Sequence, residues 1–129
     1  MDIELVAATS SALLAQGFLA EAGKRTWQGT TALLETIRRR FQGNRSVEST
    51  LERLEQEPRN EAALTTMTHL LTASMMNDAQ FFRTLRELVE QAPNTSISPE
   101  FVSKIYNNYQ NARIEKIVNI ETVHGDLNF

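Results

Sequence analysis

Two histidines, His69 and His124, are the only imidazoles in a chain of 129 residues, and there is no cysteine. A metal site built on either histidine would need carboxylates to complete it, and neither sits in a ligand motif. His69 reads as a polar position on a helix and His124 as a turn residue. Without cysteine the chain has no thiolate nucleophile, no thiolate metal site and no disulfide. Ser10, Ser11, Ser46, Ser49, Ser74, Ser96, Ser98 and Ser103 form no nucleophile-elbow pattern, and no glycine-rich phosphate loop is present. Carboxylates are plentiful, but spacing singles out none of them. The expectation is a chain with no catalytic residue, no cofactor and no bound metal.

Two stretches carry stronger chemical character. Lys24, Arg25, Arg38, Arg39, Arg40 and Arg45 oppose only Glu35, so the end of the second helix offers a candidate anion or phosphate site through Arg38, Arg39, Arg40 and Arg45. The bland alternative is a charged helix face: arginines in a last turn complement the helix dipole, and Glu35 is placed to pair with Arg39 one turn on. Glu48, Glu52, Glu55, Glu57 and Glu61 follow and are expected to pack alongside. No base-stacking aromatic is interleaved with the arginines, which favours the charged face. The second stretch is the tail, residues 114–129, IEKIVNIETVHGDLNF. Val118, Ile120 and Thr122 alternate at strand spacing. His124-Gly125-Asp126 supplies turn chemistry, and Leu127-Asn128-Phe129 reads as a short returning strand. Two strands alone are marginal in water, so this segment is expected to find a partner.

The elements that position these residues are helical. A first helix is expected over 2–22, with Ile3, Val6, Leu13, Leu14 and Phe18 on one face and Ala7, Ala8, Ala12, Ala15 and Gly17 allowing close approach. A second, over 24–42, sets Trp27, Leu34 and Phe41 seven residues apart, with Thr30 and Ile37 between, and ends at Gly43-Asn44. Ser46 is the expected cap of a third helix carrying Val47, Leu51 and Leu54, closed by Pro58. Asn60 caps a fourth with Leu64, Met67, Leu71 and Met75 inside. Asn77-Asp78 breaks the chain before a fifth bearing Phe81, Phe82, Leu85, Leu88 and Val89. Met67, Met75, Met76, Phe81 and Phe82 are expected in the core rather than in an adaptable groove. A loop over 93–98 leads to Ser98-Pro99-Glu100, whose capping serine, first-turn proline and first-turn acid each favour helix initiation. Phe101, Val102, Ile105, Tyr106 and Tyr109 then line one side of a sixth helix.

Composition is that of an ordinary globular chain, 41% hydrophobic and 22% charged, with a net charge of −3 that argues against a dedicated polyanion binder. The opening Met1-Asp2-Ile3-Glu4 lacks the positive start of a secretory signal. The apolar run that follows is broken by Thr9, Ser10, Ser11 and Gln16, which argues against a membrane span. A cytoplasmic location is expected.

The chain resembles the small helical modules found at the ends of bacterial, especially cyanobacterial, signalling and conflict-system proteins. The resemblance rests on Ala20-Glu21-Ala22-Gly23-Lys24 running to Trp27, on Leu51-Glu52-Arg53-Leu54-Glu55-Gln56-Glu57-Pro58, and on the tail segments Val118-Asn119-Ile120 and Val123-His124-Gly125-Asp126-Leu127-Asn128-Phe129. It implies a non-catalytic adaptor or assembly domain, normally fused to an effector, and offers no catalytic residue to carry over. The expected architecture is an all-α bundle of five or six helices over 1–113, with a β-prone assembly tail over 114–129. The expected role is a homo-oligomeric adaptor that pairs through Ile117, Val118, Ile120, Val123, Leu127 and Phe129 and presents its helices to other proteins. Nucleic-acid or anionic-surface binding through the arginines is the alternative.

Overall fold

In the computed structural model, which describes residues 2–19, 29–92 and 98–112, every regular element is a helix. Five are α1 (Ile3–Leu19), α2 (Gly29–Arg40), α3 (Arg45–Gln56), α4 (Glu61–Asn77) and α5 (Ala79–Glu90). A sixth, α6, spans residues 99–112. The all-α bundle expected from the sequence is the fold, and there is no strand among the described residues. The expected tail, residues 114–129, lies outside them.

The chain is built around α1. Every residue from 6 to 15 is buried, including Thr9, Ser10 and Ser11. A helix can be buried all round only if neighbours approach from several sides, and α1 meets α2, α3, α4 and α5. Small side chains make that possible. Ala7, Ala8, Ala12 and Ala15 are fully buried, and Gly17 lies so close to α2 that a Cβ there would sit 2.6 Å from the Thr30 methyl. Thr9 and Ser11, two of the polar residues that break up the apolar run, are therefore inside the protein with hydrogen-bond partners. Thr9 Oγ1 donates to Leu5 O at 2.7 Å, and the Ser11 and Thr68 hydroxyls meet at 3.0 Å across the α1–α4 seam. That pairing, with Gln16 and Leu64 lining one cleft, shows that the two helices run antiparallel.

The outer helices are amphipathic and locally capped. Asn44, rather than the expected Ser46, caps α3: its side chain accepts from Val47 N while its backbone holds extended geometry. Gly43, at φ 83°, makes the left-handed turn that aims Asn44 into this position, two residues before Ser46. Val47, Leu51 and Leu54 face inward as expected. Asn60 caps α4, accepting from Ala63 N, and Leu64, Met67, Leu71 and Met75 are buried. Asp78 ends α4 and starts α5, its Oδ1 accepting from Gln80 N and Phe81 N at 3.1 Å. Ser98 accepts from Phe101 N, and Val102, Ile105 and Tyr109 of α6 turn inward.

Two expectations about packing phase are corrected. In α2 the buried stripe is Leu33, Ile37 and Phe41, one turn apart, whereas Leu34 is only partly buried; Trp27 lies outside the described residues. The i, i+4 ridge, not a sevenfold seam, meets α1 and α5. Met76 is 71% exposed, because the residue after the inward Met75 is rotated about 100° around the helix. Phe82 is half-buried, with the Arg86 guanidinium 5.2 Å from its ring centre.

Candidate functional site

The four arginines of the candidate anion site are contiguous or nearly so in sequence, yet they do not form one surface. Successive helical residues turn by about 100°, so Arg38 and Arg40 leave α2 in different directions. Arg38 reaches α3 and pairs with Glu55 at 2.7 Å, both groups about half exposed. Arg40 reaches the other way and meets Asp78 at 3.3 Å, with its guanidinium 5.6 Å from the ring centres of both Phe41 and Phe81. Those rings stack edge to face at 5.7 Å, so Arg40 works as a clasp between the end of α2 and the start of α5. Arg39 and Arg45 are exposed and have no ion-pair partner among the described residues. The expected Glu35–Arg39 pair is not formed there either.

Arg38 and Arg39 open onto a cleft of about 540 Å³ between α2 and α3, whose other wall carries Glu48, Glu52 and Glu55 above a floor of Phe41, Val47 and Leu51. The acidic segment does pack beside the arginines, as expected. The facing acids oppose the field that would draw in a polyanion. Exposed pairs such as Arg38–Glu55 are worth about 0–1 kcal/mol, so this arrangement matters more for charge balance than for stability.

A second cleft, of about 340 Å³, was not legible in the sequence. It lies between the C-terminal half of α1, the start of α4 and the first turns of α6. Its floor is Leu64, Phe101 and Ile105, and its rim carries Arg59 and Lys104. Lys104 Nζ touches Glu61 Oε1 at 2.7 Å across the rim, whereas Arg59 has no ion-pair partner among the described residues. Gln16 stands on the inner wall, and its Oε1 is sealed from solvent without a hydrogen-bond partner among the described residues. These residues come from three distant parts of the chain, and no local spacing links them.

His69 is exposed on α4, as its polar reading requires, with its ring 6.3 Å from that of Tyr109. No group of three or more metal-ligating side chains occurs among the described residues. None of their helices is long and apolar enough to cross a membrane. His124 and the tail residues Ile117, Val118, Ile120, Val123, Leu127 and Phe129 lie outside the described residues.

Fold and clefts together define a helical-bundle protein built on a buried central helix. No protein-family model, curated protein or solved structure matches the chain.

Proposed function

We propose that the protein is a non-catalytic, cytoplasmic adaptor or assembly module that self-associates through its β-prone tail and presents its helices to other proteins. The observation that carries this reading is the contrast between a helical head whose described residues offer little apolar surface and a tail whose sequence alternates at strand spacing. Among the described residues Met76 is the one large hydrophobic side chain left exposed. One methionine falls far short of the contiguous apolar patch that marks a protein interface. This reading assigns association driven by apolar burial to the segment holding Ile117, Val118, Ile120, Val123, Leu127 and Phe129. An extended segment of this kind pairs through backbone hydrogen bonds, with alternate side chains giving specificity. Clustering the heads would raise the local concentration of whatever they recruit.

Light scattering on the full chain and on the Val118→Asp/Ile120→Asp variant tests the proposal. The expected result is a defined oligomer that falls to monomer mass in the variant with helical circular dichroism unchanged. An unchanged mass would remove the tail from assembly.

Binding of nucleic acid or an anionic surface through Arg38, Arg39, Arg40 and Arg45 is the second reading, supported by the exposed Arg39 and Arg45, which have no ion-pair partner among the described residues. The Glu55 and Asp78 partners of Arg38 and Arg40 weigh against it. Retention of DNA at low salt, lost steeply as salt rises, would reinstate it.

A further inference from the structure

We propose that the cleft between α1, α4 and α6 binds a small organic carboxylate that has an apolar body and a hydrogen-bond donor at its far end. The volume, about 340 Å³, falls in the range of small-molecule sites. Three kinds of group converge on it, and each selects one part of the ligand.

The rim selects the acid. Arg59 has a guanidinium without an ion-pair partner among the described residues, and a guanidinium fork matches a carboxylate in shape and charge. Lys104 adds a second cation. Its contact with Glu61 uses one of three ammonium donors, and both side chains are about 60% exposed, so the pair yields readily to a competing carboxylate. α4 and α6 both enter the cleft by their N-terminal turns, the positive ends of their dipoles, which add to the pull on an anion, although Glu61 and Glu100 in those turns offset part of it. The floor selects the body. Leu64 and Ile105 are buried aliphatic side chains and Phe101 is a partly buried ring, a surface suited to a flat apolar group and unsuited to inorganic phosphate.

Gln16 selects the donor. Its Oε1 is sealed from solvent and has no donor to accept from among the described residues, an arrangement that costs free energy. The terminal torsion of a glutamine is soft, so the amide turns toward the cleft at little cost. Turned into the cleft, Oε1 accepts from a ligand N–H or O–H in place of water, which matches the donor to this end of the site.

Titration of full-length protein with three related probes, followed by the methyl NMR signals of Leu64 and Ile105, tests each element. Indoleacetate has carboxylate, apolar body and N–H. Naphthylacetate lacks the donor, and indolylethanol lacks the acid. The expected result is saturable binding of indoleacetate, weaker binding of naphthylacetate and the weakest binding of indolylethanol. Arg59→Gln and Lys104→Gln, both at exposed positions, should each weaken indoleacetate roughly tenfold, the usual worth of a hydrogen bond to a charged group. The proposal is overturned if millimolar indoleacetate leaves both methyl signals unmoved. It is equally overturned if the two variants bind as the parent does, or if indolylethanol matches indoleacetate. These readouts do not involve the tail, so their failure leaves the assembly proposal standing.

Discussion

α1 and α5 are both helices of mixed composition, yet they meet their surroundings in opposite ways. α5 buries Phe81, Leu85 and Val89 along one stripe and turns Arg83, Glu87 and Glu90 to solvent. α1 has no such division: from 6 to 15 it is buried on every side, and its serines and threonine are as deep as its leucines. The difference lies in side-chain size. An outer helix needs one apolar face of any bulk, whereas a central helix must let several neighbours come close, which alanine, serine and glycine permit. Polarity therefore fails as a guide to exposure in α1, because a short hydroxyl satisfied by its own backbone is a small, nearly neutral filler.

The largest expected effects come from emptying volume on each helix. Leu13→Ala and Leu85→Ala both remove side chains that are 1% exposed or less. Such truncations cost about 2–5 kcal/mol, and the cost grows with the cavity that remains. Packed from several sides, α1 cannot shift to fill a gap, so Leu13→Ala belongs near the top of that range. α5 is free on one side and relaxes inward, which places Leu85→Ala nearer the bottom. Urea unfolding of both variants measures the order, and a larger loss for Leu85→Ala would contradict the central-helix account.

Adding volume should separate the regions in the other direction. Ala12 is fully buried in α1, and Ala12→Leu forces its neighbours apart at a cost of about 1–3 kcal/mol. The same exchange at Ala62, on the exposed face of α4, should change stability by less than about 0.5 kcal/mol. Near-equal effects at the two positions would mean that close approach is not what the alanines provide.

Much of this was legible in the sequence, and what was legible was local. The caps at Asn60, Asp78 and Ser98 each depend on one side chain and the next three backbone amides, so their residue types announce them. At α3 two good capping residues, Asn44 and Ser46, stand two apart, and the left-handed turn at Gly43 chooses Asn44 over the expected Ser46. The inward face of α2 differs from the expected one at Leu33 and Leu34, for a different reason. Leu33 and Leu34 are equally apolar, and only the positions of α1 and α5 decide which of them is buried. The α1–α4–α6 cleft had no local signal at all, since Gln16, Arg59 and Lys104 meet only when three helices have packed.

A finer comparison concerns the two adjacent serines of α1, which differ only in their partners. Thr68 has one hydroxyl proton and gives it to Leu64 O at 2.8 Å, so at the 3.0 Å contact across the seam Ser11 is the donor. Ser11→Ala removes that bond and leaves Thr68 still bonded to its own helix, a loss of about 0.5–1.5 kcal/mol. Thr68→Val deprives Ser11 of its acceptor and should cost more, about 1–3 kcal/mol, as expected of a buried donor left unpaired. Ser10 is already in that condition. It is fully buried, and its Oγ has no partner among the described residues. Ser10→Ala exchanges an unsatisfied hydroxyl for a methyl of similar size and adds helix propensity, so the variant should unfold at higher urea than the parent. If Ser10→Ala is instead as destabilising as Ser11→Ala, the Ser10 hydroxyl has a bonding partner after all, and the two serines hold α1 in place together.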